Sequence, residues 1–181
     1  MSSPGDEELV RRIHEGDEQA FASLLGRHLN AIHHYLLRLT GSRADSDDLA
    51  QETFFAVWRR AGTYRPGRVK FTTWLHRIAH NQFVDHYRRK AREADDDLPD
   101  TADFTPGPQE KRGIAEDRQR LHAALARLPA NQRDAVLLCH QQGMSNRQAA
   151  IVLGVGVRAL ESLLARARRA LRKEFQEEAT A

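Results

Sequence analysis

One cysteine, Cys139, in 181 residues excludes an internal disulfide framework. It suits a reducing compartment. No stretch approaches the ~18 consecutive apolar residues of a membrane span. Met1 to Glu8 is polar and acidic, unlike the basic start and apolar run of a signal peptide. We therefore expect a soluble, cytoplasmic protein with no direct membrane insertion. No segment sustains the period-two alternation of a half-buried strand, so no sheet is expected. Internal repeats, phosphate loops and nucleophile–base constellations are also missing. These absences point away from an enzyme, a cofactor or a small-molecule substrate.

An excess of one charge is missing too, with 28 Lys and Arg against 25 Asp and Glu. The distribution says more than the sum. Cations cluster at Arg88, Arg89, Lys90 and Arg92, and again at Arg166, Arg168, Arg169, Arg172 and Lys173. Acids gather at Asp45 to Glu52 and Glu93 to Asp103. Local cation clusters are what a phosphate backbone responds to.

What is present is helical periodicity. Phe21, Leu24, Leu25, His28, Leu29, Ile32, Tyr35, Leu36 and Leu39 recur at three and four residues, and Gly41 closes the run. Leu49, Phe54, Val57 and Trp58 continue after an acid-rich start that suits the positive end of a helix dipole. Tyr64 to Arg68 reads as a turn. A third helix follows, with Phe71, Trp74, Leu75, Ile78 and Phe83 as its apolar stripe. From 93 to 112, acids crowd together with Pro99, Pro106, Gly107 and Pro108, the composition of a linker. A second helical set is broken at Leu128-Pro129, Gly143 and Gly154. The expected fold is all-α: two small helical domains, 1–92 and 113–181, joined by a flexible acidic linker at 93–112.

Within the second domain, Asn146 to Leu163 fits a helix-turn-helix. Ser145 caps the first helix, and Ala149 and Ala150 are small where two helices cross. Gly154 permits a left-handed turn, while Val155, Leu160 and Leu163 supply core. The second helix would present Arg158, Glu161, Ser162 and Ala165 outward, followed by the cations Arg166, Arg168 and Arg169, in the order base readers then phosphate holders. A plain helical hairpin with a solvated basic tail shares this spacing; the basic run favours DNA.

In the first domain, Asp45, Asp48, Gln51 and Glu52 form an acidic face suited to a basic protein surface. Phe71, Trp74, Phe83 and Tyr87 lie among Arg77, His80, Asn81, Arg88 and Arg89, a mixture that suits unstacked bases, although an aromatic stripe on a helix is more often core. His76 and His80 are four apart, but Arg77 stands where a zinc hydrolase motif has Glu, and no third ligand is evident. No metal is expected.

Three of these segments resemble one family. Asp45-Ser-Asp-Asp-Leu-Ala-Gln-Glu-Thr-Phe54 with Val57-Trp58 is similar to the core-polymerase-binding segment of extracytoplasmic-function sigma factors. Phe71 to Arg89 resembles their promoter-melting, minus-ten-reading helix. Leu128-Pro129 to Arg133 and the helix-turn-helix to Arg168 resemble their minus-thirty-five-reading domain.

The resemblance implies that Asp45, Asp48, Gln51 and Glu52 face the clamp helices of core RNA polymerase, with Leu49 and Phe54 holding their helix. It implies Trp74 at the melting junction, Asn81 near a flipped minus-ten base, and Asp85, Arg88 and Arg89 flanking the strand. Arg158, Glu161 and Ser162 would enter the major groove of promoter DNA at the minus-thirty-five element. An anti-sigma factor is a further expected partner. The chain departs from the family's usual Thr-Val-Lys-Ser-Arg-Leu by reading Ala159-Leu-Glu-Ser-Leu-Leu164, so Glu161 and Leu163 replace a Lys and an Arg. A helix-turn-helix transcriptional regulator with a helical sensor domain stays open as an alternative.

Overall fold

The computed structural model describes residues 4–93 and 120–178 and divides the chain into two compact units, with the boundary between Thr101 and Ala102. All regular structure among the described residues is helical. Apart from Glu93, the expected linker at 93–112 lies outside the described residues.

The first unit holds α1 (Asp6–His14), α2 (Glu18–Thr40), α3 (Arg43–Arg60), a short 3-10 turn (Ala61–Thr63) and α4 (Phe71–Glu93). Helix α1 has no counterpart in the sequence reading, because two turns give too few periods to register. Leu9, Val10 and Ile13 nevertheless all bury. The junction to α2 is set by Asp17, whose carboxylate accepts from the Ala20 backbone N–H at 2.9 Å and from Arg12 at 2.6 Å. Both contacts, the backbone N–H first, hold its carboxyl below the usual range. Gly41 ends α2 in the left-handed conformation at φ 67°, and the Ser42 hydroxyl caps α3 through Asp45 N–H at 3.2 Å. The core between these helices includes Leu24, Ile32, Tyr35, Leu36, Val57 and Leu75, all fully buried. Gly62 sits so close to the His14 ring that a Cβ would come within 2.5 Å of it, so the 3-10 turn abuts the end of α1.

The second unit holds a helix over 120–126 (α5), α6 (Ala130–Val136), a π-turn (Leu137–Gln141), α7 (Asn146–Leu153) and α8 (Val157–Glu178). Pro129 breaks the chain between α5 and α6, where the Arg133 guanidinium donates to the Ala126 and Leu128 carbonyls at 2.9 and 3.2 Å. A cation there satisfies the orphan acceptors of a helix C-terminus. Ser145 and Gln148 form a reciprocal capping box at the start of α7. Gly154, at φ 65°, ends it, and Val155 N–H closes onto the Ala150 carbonyl at 3.0 Å. The axis of α8 then turns 99° from that of α7, within the range of a helix-turn-helix. Leu160, Leu163 and Leu164 pack inward beside Ala149 and Ala150. Val155 does not join them: it is exposed, because the left-handed Gly154 swings it to the outside of the turn.

No single described helix is long and apolar enough to cross a membrane.

Candidate functional site

Three exposed helix faces and one groove stand out. On α3, Asp48, Gln51 and Glu52 are exposed on one side. Asp45 is not part of that open face. It turns toward α4, with its carboxylate 3.4 Å from Lys90 Nζ and 3.7 Å from His86 Nε2. Leu49 and Phe54 lie in the interior, anchoring the helix. Phe55, outside the set predicted from sequence, is 63% exposed. The doublet Phe54-Phe55 carried the signal: adjacent helical positions point 100° apart, so one core cannot take both rings. Between α2 and α3 runs a groove of about 720 Å³, lined by Phe21, Leu25, Leu29, His33, Phe54 and Phe55 among others. On its rim His33 Nε2 meets Asp47 at 2.7 Å. An apolar trough with a carboxylate-bearing edge suits an amphipathic helix that carries cations.

On α4, the spacing of Trp74, Arg77, Asn81, Asp85 and Arg88 places all five on one stripe. Asn81, Asp85, Arg88 and Arg89 are exposed, and Trp74 is half-buried. The Trp74 ring is held by Tyr64 and Phe71, with centroids 5.3 and 5.9 Å away. Phe71 and Phe83 are themselves core residues, so the aromatics open to a ligand reduce to Trp74 and Tyr87. Tyr64 braces the cluster by donating its hydroxyl to Val69 O at 3.1 Å and Glu7 at 3.3 Å. Burial, then the charge of Glu7, pushes this phenol up to about 12. His76 belongs to the core, its ring against Tyr35 and its Nδ1 2.8 Å from the Thr72 carbonyl. No three His, Cys, Asp or Glu side chains gather as a metal site among the described residues.

On α8, Arg158, Glu161, Ser162, Ala165, Arg166, Arg168 and Arg169 are all exposed, and Leu163 packs inward. The Ser162 hydroxyl donates back to the Arg158 carbonyl at 3.0 Å. Arg166 Nε reaches the Ser162 carbonyl at 3.3 Å. The first turns of α8 are thus an open, mostly polar face whose cations concentrate one or two turns along.

The family model for Sigma-70 region 2 matches residues 24–93, and that for Sigma-70 region 4 matches residues 118–171. The ECF RNA polymerase sigma factor SigE of Mycolicibacterium smegmatis is 35% identical over 178 residues, spanning 93% of this chain and 68% of its own. The chain belongs to the ECF family of RNA polymerase sigma factors. SigM of Mycobacterium tuberculosis is similar to this sigma factor at 37% identity, over 90% of this chain and 81% of the relative. Among solved structures, CnrH in complex with the cytosolic domain of CnrY matches with a TM-score of 0.72 and 28% identity, covering 95% of this chain and 97% of that one. RpoE in complex with the anti-sigma factor NepR from Bartonella quintana gives a TM-score of 0.74 at 25% identity, over 86% and 96%. Sigma-70 region 2 occupies the segment where a regulator would carry its sensor domain, which sets the regulator alternative aside.

Proposed function

We propose that this sigma factor binds core RNA polymerase and directs it to promoters with three separate surfaces. The exposed face of α3 and the adjoining groove take the polymerase: Asp48, Gln51 and Glu52 meet cations, and Phe55 fills an apolar socket. Leu49 and Phe54 hold the helix from within, and Asp45 ties its start to α4. The stripe from Trp74 to Arg88 takes the melted minus-ten strand, with one unstacked base beside Asn81 and phosphates near Arg88 and Arg89. Extracting a base costs a few kcal/mol, offset by pocket and phosphate contacts. The exposed face of α8 docks on minus-thirty-five duplex. Binding alone does this work, so the subunit makes and breaks no bond. It acts in the cytoplasm, where an anti-sigma factor competes for the same faces; RpoE was solved with the anti-sigma factor NepR, and CnrH with the cytosolic domain of CnrY.

The observation that carries this reading is the helix-turn-helix in which α8 stands open, within a chain whose first unit matches region 2. Transcription in vitro from a genomic library tests it. The chain added to core polymerase is expected to yield discrete start sites that core polymerase alone does not. Identical transcript ends with and without the chain would overturn it.

A further inference from the structure

The recognition surface of α8 is unusual in carrying an acid at its centre. Glu161 lies midway across the exposed side, with Arg158 one turn before it and Ala165 one turn after. It forms no ion pair with any described residue. A carboxylate facing a polyanion is repelled, so its place there is favourable only where a hydrogen-bond donor waits on the DNA. The major groove offers few: the amino groups of cytosine and adenine donate, while guanine O6 and N7 and thymine O4 only accept. Adenine sets its N7 acceptor beside its amino group, where it opposes a carboxylate. Cytosine has no acceptor on that edge.

The neighbouring hydroxyl reinforces the selection. In the free chain the Ser162 hydroxyl donates to the Arg158 carbonyl at 3.0 Å, which turns its lone pairs outward in that rotamer. In that arrangement two adjacent side chains both accept. Together they match neither guanine nor thymine.

We infer that Glu161 is a specificity-determining residue that reads a cytosine amino group in the upstream duplex. This rests on the docking of α8 proposed above. The carboxylate selects by attraction to cytosine and by repulsion of bases that offer only acceptors, so removing it relaxes the choice rather than abolishing binding.

The test uses the full chain with core RNA polymerase and a duplex library fixed at the minus-ten element and randomised upstream. Bound molecules are sequenced for the wild type, Glu161→Gln and Glu161→Ala. The wild type is expected to enrich cytosine at one position by roughly 5- to 150-fold over the other bases. Glu161→Gln should move that position to adenine, which a carboxamide engages through N6 and N7. Glu161→Ala should leave the position unselective, with every other preference retained and binding to duplexes lacking the cytosine increased. Glutamine keeps the shape of the side chain, so its arm stands even if the alanine variant folds poorly. Position preferences unchanged in both variants overturn the assignment of Glu161 while leaving α8 as the reader. A wild type with no upstream preference at all overturns the docking of α8 itself.

Discussion

In the function proposed above, single side chains on α4 and α8 divide the labour of reading DNA, and their positions separate the expected effects. Asn81 sits mid-stripe on α4, exposed and two turns from the braced Trp74 ring. Asn81→Ala is expected to leave upstream duplex binding intact and to reduce open-complex formation, seen as weaker permanganate reactivity of the melted strand. Full reactivity in the variant would remove Asn81 from the strand-capturing surface. Arg168 is exposed three turns along α8, past the proposed base readers. Each phosphate contact releases counterions, so Arg168→Gln should weaken binding at all promoter sequences. It should lower the slope of log K against log salt by roughly 0.9. A loss confined to one sequence would make Arg168 a base reader instead. Residue identity alone carried much of this, since Arg, Asn and Glu each have one characteristic hydrogen-bonding pattern. Asp45 shows where it stops: nothing local reveals that its carboxylate meets Lys90, forty-five residues on.

At the scale of elements, α2, α3, α4 and the helix-turn-helix were legible because long apolar periods and their stop signals coincide. Gly41, the Ser145–Gln148 capping box and Gly154 act through backbone geometry that depends only on neighbours. Helix α1 escaped because its stability comes from packing rather than from its nine residues. The π-turn at Leu137–Gln141 escaped as well, since one extra residue in a helix leaves no periodic trace. Helix α3 shows both the reach and the limit of such reading. Its acid-rich face was visible, but the groove it makes with α2 depends on which of two phenylalanines turns outward. Gln51→Ala combined with Asp48→Arg is expected to weaken retention of core polymerase sharply in a pull-down. Both residues are exposed, so the unfolding midpoint should hardly move; substitutions of this kind stay within ~0.5 kcal/mol. Undiminished retention by the folded double variant would detach the polymerase from α3.

For the first unit as a whole, the buried Tyr64 phenol sets an alkaline limit. Tyr64 joins α1, the loop before α4 and the Trp74 cluster through Glu7 and Val69. Its hydroxyl titrates near 12 when folded, against about 10 in an unfolded chain. The raised folded value means its contribution is complete below pH 10 and is lost as pH climbs from about 10 to about 12. The stability difference between the wild type and Tyr64→Phe, measured by urea unfolding, should therefore be constant up to pH 10 and shrink above it. Every other group is common to both chains, so its contribution cancels in the difference. A difference independent of pH through that window would show that Tyr64 is not held as described.

The outward ring of Phe55 has a consequence for supply. A chain that keeps 63% of a phenylalanine wet beside an apolar trough is at its most adhesive while unoccupied. Copies made in excess of any partner that covers this patch are expected to associate with one another, a concentration-dependent rise in mass that light scattering would detect. The ratio of chain to partner is then expected to set how much of it stays in solution.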